Sequence, residues 1–124
     1  MNTTIVNQIK SDSIISKIAE EFPDNKIFVV GGTVRDFLLG KKSYDKDLII
    51  CDMESKIFAE KLHKIFDSAY VPLDEENKIY RIVLHKTEDS EPQNMIDVTN
   101  PIGDSIEQDL RRRDLQLIFI QAKF

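Results

Sequence analysis

A short apolar strand, two glycines and a helix, followed by paired aspartates, constrain the fold of this chain more than any other stretch. Residues 27–30 read Ile-Phe-Val-Val and predict a buried strand, because the run is short and β-rich. Gly31 and Gly32 then turn the chain into an amphipathic helix. After a polar loop, a second strand begins with Asp45 and Asp47, which share a face because side chains alternate along a strand.

Glycines at a helix start, together with paired carboxylates, suit a triphosphate bound with magnesium. Glycine lets backbone N–H groups approach a phosphate, the helix start favours an anion, and aspartates supply the hard oxygen ligands of Mg²⁺. Each half alone has an ordinary explanation, since glycine is common in strand-to-helix turns and acidic residues at strand starts are usually solvated. The combination predicts phosphate and metal chemistry.

The remaining segments alternate between helical and strand patterns. The predicted helices cover residues 11–22, 33–39, 54–66 and about 105–113, and the further predicted strands cover residues 69–73, 78–85 and 95–98. Leu38 and Ile57 are placed on the buried faces of their helices. The sum is an α+β fold, a small mixed β-sheet flanked by two or three helices.

Length and composition exclude several classes of protein. The 124 residues predict one domain with a single core. The chain lacks an apolar run of about 18 residues for a membrane span, and its first ten residues do not resemble a signal peptide. Cys51 stands alone, fits a reducing, cytoplasmic location, and is expected to be buried. The net charge of −5 argues against a large nucleic-acid surface.

With Arg35 and Asp36 one turn into the second helix, the glycine block resembles the class II nucleotidyltransferases, which are the CCA-adding tRNA nucleotidyltransferases and bacterial poly(A) polymerases. Their head domain carries G-G-x-V-R-D-x-L-L-G and then D-x-D within a polymerase-beta-like fold. Runs downstream agree in order, so the resemblance covers about residues 26–114. These runs are Val71-Pro72-Leu73-Asp74, Tyr80-Arg81-Ile82-Val83, Met95-Ile96-Asp97-Val98-Thr99, and the stretch from Ser105 to Asp114, which is similar to the family's S-I-E-x-D-L-x-R-R-D.

The resemblance implies two-metal nucleotidyl transfer from ATP or CTP to the 3′-hydroxyl of an RNA, such as a tRNA 3′ end. Asp45 and Asp47 would be the catalytic residues and would hold Mg²⁺ ions that activate the hydroxyl and bridge the nucleotide phosphates. Positioning and charge neutralisation would supply most of the rate, without a covalent enzyme intermediate. The residues expected to bind the nucleotide are Gly31, Gly32, Arg35 and Arg113.

Other polar residues are weaker candidates for the site. Asp97 is either a third carboxylate near the metals or, as the sequence favours, an acid at a sheet edge. Asp36 is expected to be a structural partner near Arg35 rather than a ligand. Neither His63 nor His85 has a metal-ligand partner at a suitable spacing.

The chain departs from the family pattern in two respects. The family continues into helical neck, body and tail regions that choose the nucleotide and grip the tRNA, whereas this sequence stops at Phe124, so a single head domain over residues 1–124 is expected. After Asp114 the family reads F/L-T-I-N-A, and here residues 115–119 read Leu-Gln-Leu-Ile-Phe. A one-base frameshift in the gene would explain both, and the neighbouring reading frame tests that hypothesis.

Three hypotheses therefore remain open. The chain is an enzyme domain, a truncated and non-catalytic remnant that folds and binds Mg-nucleotide, or an interaction module for a partner protein. CCA addition and poly(A) synthesis are not distinguished, because the regions that discriminate them lie beyond the sequence. The apolar tail, residues 117–124, is expected to pack against the sheet or helices, or to form a self-association surface.

Overall fold

The structure is a computed structural model that describes residues 11–85, 92–101 and 117–120, the last of these through the backbone only. The predicted last helix and Arg113 lie outside the described residues. The helices are α1 (Ser13–Glu21), α2 (Gly32–Leu38) and α3 (Ser55–Ile65), and the strands are β1 (Ile27–Val30), β2 (Asp45–Ile50), β3 (Ser68–Asp74), β4 (Ile79–Leu84), β5 (Met95–Thr99) and β6 (Leu117–Ile120).

Within the described residues, six strands form one mixed sheet in the order β3-β4-β5-β2-β1-β6. The neighbours β2 and β5 are parallel, and the other neighbouring pairs are antiparallel. This arrangement confirms the predicted α+β fold with a mixed sheet. The strand β5 lies inside the sheet, between β4 and β2. The prediction that Asp97 is an acid at a sheet edge is therefore wrong.

The divergent tail takes part in the sheet. β6 pairs with β1 in antiparallel register, with Leu117 opposite Val30 and Ile120 opposite Ile27. The apolar run at residues 117–120 thus lies at the edge of the sheet beside β1. A strand there is consistent with the β-prone composition of the tail.

One face of the sheet carries the main core and the helices. Alternation along β1 places Ile27 and Val29 in this core, whereas Phe28 and Val30 join a smaller cluster with Ile49 on the opposite face. Residues from all three helices pack into the main core. They are Ile15, Ile18, Ala19 and Phe22 of the α1 region, Val34 and Phe37 of α2, and Phe58, Ala59 and Leu62 of α3.

Three burial predictions are wrong. Leu38 is 52% exposed and Ile57 is 42% exposed, because a helix on one face of a sheet buries a single stripe, which the neighbouring phenylalanines already occupy. Cys51 follows β2 in a bend and is half-buried. None of the described helices combines the length and apolar composition that crossing a bilayer requires.

Candidate active site

The two aspartates lie on the face of the sheet opposite the helices. Between them, Lys46 is 1% exposed and faces the core, as do Leu48 and Ile50 further along β2. Alternation therefore turns Asp45 and Asp47 to the other side, where Asp45 is exposed and Asp47 half-buried. The sequence predicted this shared face.

The glycine turn meets Asp47 because β1 and β2 run antiparallel, with Val30 at the end of β1 opposite Asp47. Gly31 follows with φ 64° and ψ −134°, a backbone conformation open almost only to glycine. Its carbonyl accepts the first hydrogen bond of α2 from the Arg35 N–H, at 3.2 Å. A Cβ atom on Gly31 would lie 3.5 Å from Asp47 Oδ2, so the turn brings bare backbone beside the carboxylate.

A Gly31→Ala substitution is expected to lower the free energy of unfolding by roughly 1–3 kcal/mol, because an L side chain strains this backbone conformation. Gly32→Ala is the matched control. Its Cβ would meet only the mobile end of Arg35, with Nη2 3.3 Å away, and Gly32 has no positive φ. Urea unfolding of both variants checks the difference. Equal losses in the two variants would contradict the strain at Gly31.

Thr33 is a positioning residue that the sequence interpretation missed. It is completely buried, and its Oγ1 donates to the Asp45 carbonyl at 3.1 Å while accepting from the Asp47 N–H at 2.8 Å. One side chain at the start of α2 therefore fixes the backbone of both aspartates. The available signal was a hydroxyl residue four positions before the buried Phe37, on a stripe where apolar residues are usual.

Thr33→Val is expected to lower the free energy of unfolding by about 1–3 kcal/mol, because the Asp47 N–H loses its buried acceptor. It is also expected to weaken divalent metal binding, since the carboxylates lose a fixed spacing. Thr33→Ser keeps the hydroxyl and should retain metal affinity. Isothermal titration with Mn²⁺ measures both variants, and equal affinities in Thr33→Val and the wild type would show that Thr33 does not position the aspartates.

Lys46, the residue between the aspartates, anchors β2 on the core side of the sheet. Lys46 Nζ forms an ion pair with Asp12 Oδ2 at 3.3 Å and donates to the Ser43 carbonyl. Ser43 Oγ in turn donates to the Asp45 carbonyl at 3.1 Å. Burial lowers the pKa of Lys46, and the negative charge of Asp12 opposes that shift. This buried network was also missed, because the partner of Lys46, Asp12, is distant from it in sequence.

Asp12 connects the same network to α1. Its Oδ1 accepts from the N–H groups of Ile14 and Ile15, both at 3.0 Å, and so caps the helix start. The other oxygen, Oδ2, faces Lys46. The first turn of α1 and the centre of the Asp-x-Asp segment therefore share one carboxylate.

Asp97 lies beside Asp47 in the strand register, and Arg81 lies on the far side of Asp97. Arg81 Nε and Nη2 donate to Asp97 Oδ1 and Oδ2 at 2.7 and 2.9 Å. This hydrogen bonding raises the pKa of Arg81, burial opposes the shift, and the charges of Asp97, Asp45 and Asp47 add to it. The guanidinium thus lies in the field of three carboxylates.

A cleft of about 400 Å³ lies between Asp47 and Asp97 on one side and the strand β3 on the other. Asp47 and Asp97 provide its acidic side, and Leu73, which is 45% exposed, belongs to its apolar side. The other lining residues are Val30, Gly31, Leu48, Ile79, Val98 and Thr99. A cleft with both acidic and apolar walls can accommodate a polar group on the carboxylates and a flat apolar group beside them.

The structure brings Gly31 beside Asp47, Asp45 shares the face of Asp47, and Arg35 is exposed beside Gly32 on α2. His63 and His85 have partners elsewhere, in Ser68 and Asp67 respectively. Within the described ranges, no three His, Cys, Asp or Glu side chains are grouped to hold a metal ion. The Asp45 and Asp47 carboxylates nevertheless suit a hard divalent cation that takes its remaining ligands from water and phosphate.

Comparison with known proteins identifies the family. The poly(A) polymerase head domain matches residues 27–121, which span the sheet from β1 to β6. The chain belongs to this family. The match extends beyond Asp114 into the divergent tail. The family is one of nucleotidyltransferases that generally depend on a divalent metal.

Solved structures of CCA-adding enzymes share the fold of this head domain. The apo form of a CCA-adding enzyme is 25% identical, with a TM-score of 0.67, and the alignment covers 99% of this chain and 28% of that one. A complex of a CCA-adding enzyme with CTP and the Thermotoga maritima CCA-adding enzyme with tRNA give the same identity, TM-score and coverage. The chain thus spans 28% of the length of these enzymes. None of the curated proteins matches the sequence significantly.

Proposed function

We propose that this head domain binds a Mg²⁺-nucleotide in the cleft and transfers a nucleoside monophosphate from ATP or CTP to an RNA 3′-hydroxyl. The observation that carries the proposal is the position of the Gly31 turn against Asp47, with Asp45 on the same face of β2. A phosphate chain needs close backbone on one side and metal ligands on the other. This corner of the sheet offers both.

The proposed roles follow from the geometry of each residue. Asp45 and Asp47 would hold the magnesium, which when bound neutralises phosphate charge and lowers the pKa of the attacking hydroxyl. The Gly31 turn would lie along the phosphates, because no side chain keeps them away from the backbone. Arg35, exposed beside Gly32, would pair with phosphate oxygens. Arg113 stays a predicted nucleotide contact outside the described residues.

Thr33 and Lys46 would act on the reaction only through the aspartates. Thr33 bridges the two aspartates by their backbone groups, so both carboxylates approach a cation from fixed positions. Lys46 ties the same segment to Asp12 on the opposite face. Preorganised ligands avoid the cost of ordering them when the nucleotide arrives.

The RNA part of the proposal is supported by the related enzymes, whose structures include complexes with CTP and with tRNA. The net charge of −5 gives this chain little attraction of its own for RNA phosphates. RNA binding is therefore expected to be weak. CCA addition and poly(A) synthesis both remain compatible with the cleft.

A second candidate function is a domain that binds Mg-nucleotide without transferring it, or that contacts a partner protein. The observation that favours it is the departure at residues 115–119, where the family's Thr and Asn are replaced. Part of that segment forms the edge strand β6. Nucleotide binding would then persist, because the glycine turn and aspartates are intact.

Incorporation of label from [α-³²P]ATP and [α-³²P]CTP tests the two candidates. The substrate is a tRNA lacking its 3′-terminal CCA, with Mg²⁺ in one arm and EDTA in the other. Binding of a fluorescent ATP analogue is measured in parallel under both conditions. Mg-dependent incorporation supports the transferase, Mg-dependent binding without incorporation supports the second candidate, and the absence of both overturns nucleotide chemistry at this site.

Self-association through the apolar tail stays a prediction. The order of the sheet leaves β6 at one edge, and an edge strand can pair with a second copy. Sedimentation velocity across a concentration series is expected to show a dimer that a proline at Phe119 abolishes. A monomer at every concentration would contradict this prediction.

A further inference from the structure

The ion pair between Arg81 and Asp97 has no role in the function proposed above. Both carboxylate oxygens of Asp97 are bonded by the guanidinium, at 2.7 and 2.9 Å. The two side chains are 32% and 25% exposed, so water screens the pair only in part. Two parallel hydrogen bonds fix the carboxylate plane as well as its charge.

The strand register makes this pairing relevant to the metal site. Asp97 lies directly opposite Asp47 on β2, and Arg81 directly opposite Asp97 on β4. The three side chains therefore form a row across neighbouring strands on the face of the sheet opposite the helices. Asp97 thus has Asp47 as its neighbour on one side, and on the other side its carboxylate accepts hydrogen bonds from Arg81.

A carboxylate in a bidentate guanidinium pair is a poorer metal ligand than a free one. Its charge is already balanced, and each oxygen already accepts one strong hydrogen bond. Within the part of the chain that the structure describes, Asp45, Asp47 and Asp97 do not form a metal-holding group of three. The cationic partner of Asp97 in this structure is the Arg81 guanidinium.

We propose that Arg81 withholds Asp97 from the metal, so that Asp45 and Asp47 alone bind the divalent cation. The inference rests on the proposed function, which assigns the metal to these two residues. Magnesium bound by one or two carboxylates keeps open positions for water and phosphates. A third carboxylate would fill such a position and hold the cation in the empty site. Arg81 is therefore a positioning residue: by keeping Asp97 from the metal, it makes metal binding depend on the nucleotide phosphates.

Lanthanide luminescence tests the proposal without enzyme activity. Eu³⁺ emission lifetimes in H₂O and D₂O give the number of water molecules on the bound ion, and Mn²⁺ titration followed by electron paramagnetic resonance gives affinity. The proteins are the wild type, Arg81→Met, Asp97→Asn and the double variant Arg81→Met/Asp97→Asn. Thermal unfolding confirms that each is folded.

Arg81→Met is expected to bind Mn²⁺ about tenfold more tightly than the wild type, because Asp97 becomes a ligand. Its Eu³⁺ should carry at least one water fewer. The double variant should match the wild type in both measurements, since neither has a free third carboxylate. An unchanged number of waters in Arg81→Met would overturn the inference, even if the affinity rises through the lost positive charge.

Arg81→Lys separates charge from geometry, and it serves if Arg81→Met does not fold. Lysine keeps the positive charge but cannot bond both oxygens of Asp97 in one plane. One water fewer than in the wild type is again expected, and an unchanged number counts against the proposal. Asp45→Asn tests the proposed function separately, because it removes one of the two carboxylates to which that function assigns the metal. If Asp45→Asn leaves metal affinity unchanged in the wild type and in each Arg81 and Asp97 variant, both the proposed function and the inference are overturned.

Discussion

Asp45→Asn/Asp47→Asn is expected to reduce Mg-dependent nucleotide incorporation on the order of a thousandfold. In the proposed function the two carboxylates supply the charge that holds the metal, and a bound metal contributes several kcal/mol of transition-state stabilisation. Asparagine keeps the size of each side chain and removes only the charge. Incorporation and binding of the fluorescent ATP analogue are measured for this variant beside the wild type.

Asp67→Asn is the matched control, because Asp67 is 92% exposed and lies before β3, away from the cleft lining. It removes one exposed carboxylate and should leave both measurements within experimental error. The double variant should also unfold at or above the wild-type temperature, since removing two like charges relieves repulsion. Wild-type incorporation in the folded double variant would disprove the assignment of the two aspartates.

Asp12→Ala is expected to lower the free energy of unfolding by roughly 3–5 kcal/mol. It leaves the Lys46 ammonium, 1% exposed, without its ionic partner. It also removes the N-cap of α1, which accounts for about 1 kcal/mol of the loss. Urea unfolding followed by circular dichroism measures the change, and a 124-residue chain is small enough for a two-state analysis.

Lys46→Met shows whether the loss comes from the unpaired charge. Methionine fills a similar volume without an ammonium group, so the variant Asp12→Ala/Lys46→Met should be more stable than Asp12→Ala alone. Asp12→Asn keeps a good N-cap and isolates the ionic part. A double variant no more stable than Asp12→Ala would mean that Lys46 is not stabilised by Asp12.

The two largest expected effects involve residues on opposite faces of β2: Asp45 and Asp47 on one face, and Lys46, the partner of Asp12, on the other. Asp45 and Asp47 lie on the face of β2 opposite the helices, and Asp47 lines the cleft, whereas Lys46 faces the core and forms an ion pair with Asp12, the N-cap of α1. The strand that carries the two proposed metal ligands gains rigidity because the residue between them is anchored. The proposed metal site and the stability of the fold are therefore coupled through Lys46, which lies between Asp45 and Asp47 on β2.

The sequence by itself determined the local parts of the candidate site. The glycine turn followed from two adjacent glycines after an apolar strand, and the shared face of Asp45 and Asp47 followed from a period of two. The order of the motifs was enough to indicate the head-domain family and the α+β fold. Each of these features depends on neighbours within a few residues or on motif spacing, which the sequence displays directly.

Only the tertiary structure decided which distant residues meet. Thr33 bonds Asp47 because α2 begins against β2, and Arg81 bonds Asp97 because the register of β4 and β5 sets them opposite. The sequence did not predict the partner of Arg81, and the position of β5 inside the sheet overturned the prediction that Asp97 lies at a sheet edge. The physical reason is that strand order and register come from packing of the whole sheet, which short-range periodicity does not contain.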